Sequence, residues 1–132
     1  MGTWGTRTFD DDTASDWLDE IAEEPSVTFL RETLEVSDEG YLEFETCVGF
    51  LAAAEIVAGV LNGPREGLPE EAVAVIEALA GSDVEPLRKL AGDKARLVLG
   101  ESSELRELWS ENSDEFPVWR DGVLELCQRL DG

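Results

Sequence analysis

The sequence predicts an all-α fold, a single compact bundle of about six or seven helices around one central apolar helix. The central helix is predicted from residues 41–62, because Tyr41 to Leu61 contains no proline and is about two-thirds apolar or alanine, and Gly63-Pro64 follows it. Segments with helical spacing of apolar residues flank it on both sides. No segment alternates for long enough to predict a strand. We therefore expect residues 1–132 to form one all-α domain.

Apolar side chains point in all directions around the central helix, so other helices should surround it. One stripe is different, because its residues are small or polar at spacings of three and four: Glu45, Gly49, Ala52, Glu55, Gly59 and Asn62. We interpret Glu55 as part of a narrow solvent-facing seam or of a structural hydrogen bond. The alternative is a partly buried carboxylate with a raised pKa, available as an acid or base.

The helices on either side have recognisable start signals. Asp10-Asp11-Asp12 opens the first, with Thr13 and Asp16 as a capping box. Ser26 should cap the second helix, and Pro69 should start the fourth. The fifth helix should begin near Pro86 and break at Gly92. Ser102 or Ser103 should cap a sixth helix, and Asp114 and Pro117 should begin the last. The triple aspartate could alternatively gather Mg²⁺ or Ca²⁺, although the spacing of a calcium loop is absent.

The chain is strongly and unevenly acidic. It carries 31 acidic and 10 basic residues, for a net charge of -21. Residues 10–45 hold fourteen of the acids and a single base, Arg31, whereas a fifth-helix segment holds Arg88, Lys89, Lys94 and Arg96. Nucleic acids and anionic membranes are therefore disfavoured as direct partners, and a basic protein is favoured. The basic segment could neutralise part of the acidic region from within.

Cys47 and Cys127 lie far apart on apolar helix faces, which is typical of buried free thiols in a reducing compartment. The first residues lack the pattern of a secretory signal, and Glu55 divides the one long apolar run into two short pieces. We therefore expect a cytoplasmic location and no membrane span.

Most catalytic machinery is excluded by residue type. The absence of histidine removes Ser-His and Cys-His nucleophile systems and histidine metal sites, and no glycine-rich phosphate loop is present. We predict no catalytic residue, no metal and no cofactor. The best enzyme hypothesis is a Mg-dependent all-α carboxylate hydrolase of nucleotides. Its Glu-x-x-Glu element would be Glu32 and Glu35, or else Glu20 with Glu23 or Glu104 with Glu107, but the second acidic element is missing after Glu55.

The opening Met1-Gly2-Thr3-Trp4-Gly5, followed by Phe9-Asp10-Asp11-Asp12-Thr13-Ala14 and Asp16-Trp17-Leu18, resembles a bacterial family known as domain of unknown function 4259. Ser103 to Trp109 and Trp119-Arg120 also look like that family's C-terminal pattern, whereas Asp11 stands where the family usually has asparagine. The resemblance implies a bacterial intracellular helical domain and no particular activity. It also implies a joint structural or functional feature formed by Trp4, Gly5, Phe9, Asp10, Asp12 and Trp17. From the residues alone, aromatic side chains that hold the opening segment against the first helix would be sufficient.

We therefore predict a non-enzymatic protein-binding module, similar in principle to immunity proteins, inhibitors or nucleic-acid mimics, that docks on a basic partner through its acidic N-terminal third. The predicted partner-binding residues are Asp10, Asp11, Asp12, Asp16, Asp19, Glu20, Glu32 and Glu35. A third possibility is that the charge only keeps the protein soluble in a salt-rich cytoplasm. The oligomeric state is not predicted.

Overall fold

A computed structural model of the chain describes residues 6–131, and α-helices dominate this part. Seven α-helices follow in order: α1 Asp12–Glu23, α2 Val27–Leu34, α3 Phe44–Asn62, α4 Glu70–Ala78, α5 Arg88–Val98, α6 Glu104–Ser110 and α7 Phe116–Leu130. Short 3-10 helices at Thr8–Asp10 and Glu85–Leu87 precede α1 and α5. Residues 6–131 contain no strand, so the all-α prediction is confirmed. Trp4 and Gly5 lie outside the described residues.

Helix α3 is the centre of the bundle. It contacts all six other α-helices, and it is buried without interruption from Phe50 to Gly59. The predicted central helix is therefore confirmed, although it begins at Phe44 and not at Tyr41. The reason is a contact with a distant part of the chain. Leu42 is extended and forms a single parallel bridge with Ser103, through Leu42 N to Ser102 O at 2.7 Å and Glu104 N to Leu42 O at 2.9 Å.

The small residues of α3 allow neighbouring helices to approach closely. A Cβ atom at Gly59 would lie 2.3 Å from Ile76 Cδ1 of α4, and one at Gly49 would lie 3.3 Å from Thr33 Cγ2 of α2. Between these glycines the stripe is buried, including Glu55. The interpretation of this region as a solvent-facing seam is therefore wrong, because α2 and α4 pack on either end of it.

Side-chain caps fix the starts of three helices. Asp11 precedes α1, and its Oδ1 accepts hydrogen bonds from Thr13 N at 2.8 Å and Ala14 N at 3.2 Å. The cap is thus Asp11, and the predicted capping box of Thr13 and Asp16 is wrong. Ser26 and Ser103 cap α2 and α6 as predicted.

The aromatic residues of the N-terminal region connect different elements. Trp17 of α1 donates its indole N–H to Thr33 Oγ1 at 3.0 Å, and its ring lies 5.4 Å from that of Phe29 in α2. Phe9, in the 3-10 helix before α1, packs against the core while remaining partly exposed. Trp17 therefore fastens α1 to α2, and Phe9 fastens the opening segment to the bundle.

Helix α5 runs through Gly92 without a break, contrary to the predicted interruption. Of its four basic residues, Lys94 is buried and reaches the acidic region. Its Nζ donates to Asp38 Oδ2 at 2.8 Å and to Val36 O at 3.2 Å. The other three form ion pairs outside residues 10–45. Among the basic residues of α5, Lys94 is therefore the one that neutralises an acid within residues 10–45.

By length and composition, α3 is apolar enough to cross a membrane, with a mean hydropathy of 1.8. The bundle buries 67% of that apolar window. A core helix gives the same signal as a membrane-spanning helix, so this property is weak evidence for a span.

Candidate functional site

Five acidic residues share one exposed face of α1. Asp12, Asp16, Asp19, Glu20 and Glu23 lie opposite the buried Ala14, Leu18 and Ile21, as spacings of three and four residues require. Like charges four residues apart on a helix repel one another, at a cost of roughly 0.2–0.5 kcal/mol for each pair. The fold therefore tolerates a dense row of carboxylates along α1.

Glu32 of α2 and Glu35, the residue that follows α2, are also exposed. We define the acidic surface as Asp12, Asp16, Asp19, Glu20, Glu32 and Glu35. In residues 6–131 no lysine or arginine lies within ion-pair distance of any of these six. The acidic surface is thus solvent-facing negative charge without an ion-pair partner in the described part of the chain, although Arg31 adjoins Glu32 in sequence.

Two of the predicted partner-binding residues have other surroundings. Asp11 is buried, with 6% of its surface exposed, and it caps α1. Asp10 is partly exposed and accepts a hydrogen bond from Arg7 N at 3.2 Å, and its side chain lines a separate cleft. Neither belongs to the acidic surface as defined here.

The acidic surface continues onto α4 through a contact between two acids. Asp19 and Glu71 come close enough that a hydrogen bond between their side chains raises the pKa of Glu71. Partial desolvation and the charge of Asp19 act in the same direction. When two carboxyl groups are in contact, the negative charge of one favours the protonated form of the other.

The glutamate pairs considered for a nucleotide hydrolase are dispersed. Glu104 Oε1 accepts a hydrogen bond from Phe44 N at 2.7 Å, at the start of α3, and Glu107 Oε2 accepts one from Tyr41 Oη at 2.8 Å. The latter contact raises the pKa of Tyr41 to about 12. Across residues 6–131 no group of three or more Asp, Glu, Cys or His side chains is placed to hold a metal ion. The pair Glu104 and Glu107 therefore connects α6 to the start of α3.

A second feature is the buried Glu55 on α3, which is 1% exposed. Its Oε1 forms an ion pair with Arg65, a residue of the loop between α3 and α4. Arg65 also donates to Gly122 O at 3.3 Å and lies 3.9 Å from Glu125 Oε1, both on α7. No described residue donates a hydrogen bond to Glu55 Oε2. An unpartnered buried oxygen of this kind costs roughly 1–3 kcal/mol.

Burial raises the pKa of the Glu55 carboxyl above its ordinary value of 4.5. The positive charges of Arg65 and Arg129 and the hydrogen bond from Arg65 oppose this shift, and the negative charge of Glu125 adds to it. Desolvation is the largest of these effects, so the ionised form of Glu55 is incompletely stabilised by its neighbours.

Glu55 and Arg65 lie in the wall of a cleft of about 500 Å³. The 3-10 helix at Thr8–Asp10, the loop from Arg65 to Pro69 and the first half of α7 enclose it. Arg7 bridges two of these segments by donating to Gly67 O at 3.4 Å. The cleft therefore joins the N-terminal segment, the middle of the chain and the last helix.

A family model described as domain of unknown function (DUF4259) matches residues 2–122, which is most of the chain. The chain belongs to the DUF4259 family. The family resemblance recognised from the opening and C-terminal motifs is thereby confirmed. No curated protein and no solved structure matches the chain.

In this DUF4259 protein, the described residues of the opening motif have different surroundings. Phe9 packs against the core and lines the cleft together with Asp10, whereas Trp17 contacts α2 and Asp12 faces solvent. The described residues of the motif therefore contact several parts of the bundle, and two of them, Phe9 and Asp10, line the cleft.

Sequence reasoning singled out Glu55 and missed its partner Arg65. The available signal was weak: Arg65 is the first basic residue after the central helix, and it follows the Gly63-Pro64 exit. That loop turns back along α3, because Arg65 reaches Glu55, which lies seven residues before the end of the helix. Knowing that the loop turns back would have been required to pair Arg65 with Glu55.

Proposed function

We propose that this protein is a non-enzymatic binding module that docks on a basic protein through the acidic surface of α1 and α2. The six exposed carboxylates of the acidic surface, none of which has an ion-pair partner in residues 6–131, carry the proposal. A short distance between Asp19 and Glu71 extends this concentration of negative charge toward α4. Basic side chains from a partner would relieve the repulsion among these charges on binding.

The same charges would accelerate association. A surface of one sign raises the encounter rate with an oppositely charged partner by about 10–10³-fold, and the effect falls steeply with salt. We further propose a cytoplasmic bacterial protein, as the family resemblance implies and as the two buried free thiols support. The proposal includes no direct contact with nucleic acid or membrane.

The test uses two variants with equal change in charge. One carries Asp16→Lys, Glu20→Lys and Glu32→Lys within the acidic surface. The control carries Glu101→Lys, Glu111→Lys and Asp114→Lys, which are exposed residues near α6 and the loop that follows it. Glu71 is unsuitable for the control because it touches Asp19. Tagged protein captures its partner from lysate of its own source at low salt, and the purified partner is then used for rate measurements.

We expect the first variant to lower the association rate constant by about tenfold or more and the control by less than about threefold. Equal effects of the two variants would contradict a localised surface. A spread of basic proteins lost at modest salt, with none retained stoichiometrically, would mean that the charge only keeps the protein soluble. Mg-dependent nucleotide hydrolysis abolished by Glu32→Gln or Glu35→Gln would replace the proposal with the hydrolase hypothesis.

A further inference from the structure

We propose that the cleft around Glu55 and Arg65 binds a small organic cation, specifically a primary ammonium group on an apolar stem. This site is separate from the acidic surface, and it does not depend on the proposed docking function. The argument rests on one buried oxygen, on the charge of the cleft and on the character of its walls.

The buried oxygen is Glu55 Oε2. Arg65 occupies Oε1 of the same carboxylate, and no described residue donates to Oε2. A guanidinium ligand would favour both oxygens of a carboxylate at once, and one of them is already taken. An ammonium group is a compact point charge that can donate to a single oxygen. The single unpartnered oxygen of this carboxylate therefore suits an ammonium group better than a guanidinium group.

The charge of the cleft also favours a cation. Its lining contains five carboxylates, at Asp10, Glu55, Glu66, Asp121 and Glu125, against two guanidinium groups. Both guanidinium groups are engaged: Arg65 with Glu55, Gly122 and Glu125, and Arg7 with Gly67 O. The remaining negative charge would attract a cationic ligand and repel an anionic one.

Apolar residues complete the site. Phe9, Leu68, Val118 and Val123 line the same cleft, and its volume of about 500 Å³ is within the range of small-molecule sites. Such walls would bury the stem of a ligand while Glu55 holds its charged end. Glu55 is the least exposed of the lining residues, so the ammonium would bind at the most buried carboxylate of the cleft.

The pKa direction of Glu55 agrees with this arrangement. Burial raises the pKa despite Arg65 and Arg129, with Glu125 adding to the effect, so a further positive charge would stabilise the ionised carboxylate. Binding of an ammonium should then release a proton wherever Glu55 is protonated in the free protein, and affinity should rise with pH across that range.

The experiment compares three probes of similar size: 2-phenylethylammonium, 2-phenylethanol and 3-phenylpropanoate. Each is titrated into the full chain at about 150 mM NaCl, which screens delocalised attraction to the acidic surface. Amide NMR shifts locate the binding, and the dissociation constants come from the same titrations. We expect the ammonium to bind at least about tenfold more tightly than the other two, with shifts at Gly67, Gly122 and Val123. We also expect tighter binding at about pH 8 than at about pH 5.

The key variant is Glu55→Gln, which keeps the shape of the side chain and removes its charge. The matched control is Glu45→Gln, an exposed glutamate on the same helix outside the cleft. We expect Glu55→Gln to weaken binding of the ammonium by about tenfold or more and Glu45→Gln to leave it unchanged. If Glu55→Gln does not fold, Glu125→Gln at the exposed rim should weaken binding by about two- to threefold.

Four results would overturn the proposal. They are equal affinity for all three probes, tightest binding of the carboxylate probe, shifts confined to α1 and α2, and no binding at all. The first would make the cleft a generic apolar pocket, and the second would make it an anion site built on Arg65. The third would assign the probe to the acidic surface.

Discussion

Asp19 and Glu71 form the contact in which two like-charged side chains approach each other across α1 and α4. Because the pKa of Glu71 is raised in the folded protein, folded Glu71 holds a proton at pH values where the unfolded chain has lost it. Its contribution to stability is fully present below its ordinary pKa of 4.5 and is lost as pH rises through the folded pKa. The contact between Asp19 and Glu71 therefore lowers the stability of the fold as pH rises toward neutrality.

Replacing Glu71 with glutamine should reduce this loss. We expect the free energy of unfolding of Glu71→Gln to fall less than that of the wild type as pH rises above 4.5, because the amide cannot ionise beside Asp19. Urea denaturation at several pH values measures the difference. Glu70→Gln, one residue away and also exposed, is the control and should keep the wild-type pH profile. If both variants follow the same profile, the Asp19–Glu71 contact has no influence on stability.

At the level of single residues, the sequence predicted whether a residue caps a helix or faces solvent better than it predicted which residue it contacts. The free cysteines, the capping serines and the exposed acids of α1 follow from helical spacing and local chemistry. The burial of Glu55 and Asp11 does not, because burial depends on which elements pack above a residue. The ion pair of Glu55 with Arg65 also depends on the path of the loop between α3 and α4. The spacing of apolar residues does not predict that path.

At the level of elements, the contact between α3 and α4 depends on Gly59. We expect Gly59→Ala to destabilise the protein by about 1–3 kcal/mol, because the new methyl would overlap Ile76. Gly49→Ala, whose Cβ would meet Thr33 Cγ2 at 3.3 Å, should cost less. Thermal and urea denaturation measure both effects.

A second substitution identifies the cause. Ile76→Ala alone should leave a cavity and cost about 2–5 kcal/mol, but combined with Gly59→Ala it should cost less than the sum of the two single changes. Additive costs would show that Gly59→Ala acts through something other than contact with Ile76.

The elements themselves were largely predictable, because each helix carries its own apolar stripe and several carry start signals. The exceptions occur where a distant segment intervenes. Tyr41 to Glu43 have helical composition, yet Leu42 pairs with Ser103 and the central helix starts later. Gly92 has low helix propensity, yet α5 continues through it, because the helix is buried there against its neighbours. Tertiary packing decided both cases.

At the level of the whole molecule, a net charge of -21 opposes the compact state. We expect the melting temperature to rise between about 50 mM and about 500 mM NaCl, because the Debye length shortens and like charges are screened. The variant with Asp16→Lys, Glu20→Lys and Glu32→Lys has a net charge of -15, which follows from adding six to -21, and it should show a smaller rise. Equal rises in both proteins would attribute the effect to general salt action on hydration instead of charge repulsion.

The buried position of Lys94 has a practical consequence for amine chemistry. The chain contains two lysines, and the side chain of Lys94 is 9% exposed and bound to Asp38, whereas that of Lys89 is 87% exposed. Of these two lysines, amine-reactive dyes or cross-linkers should therefore modify Lys89 and spare Lys94. A fluorophore at Lys89 would leave every carboxylate of the acidic surface and the cleft unmodified.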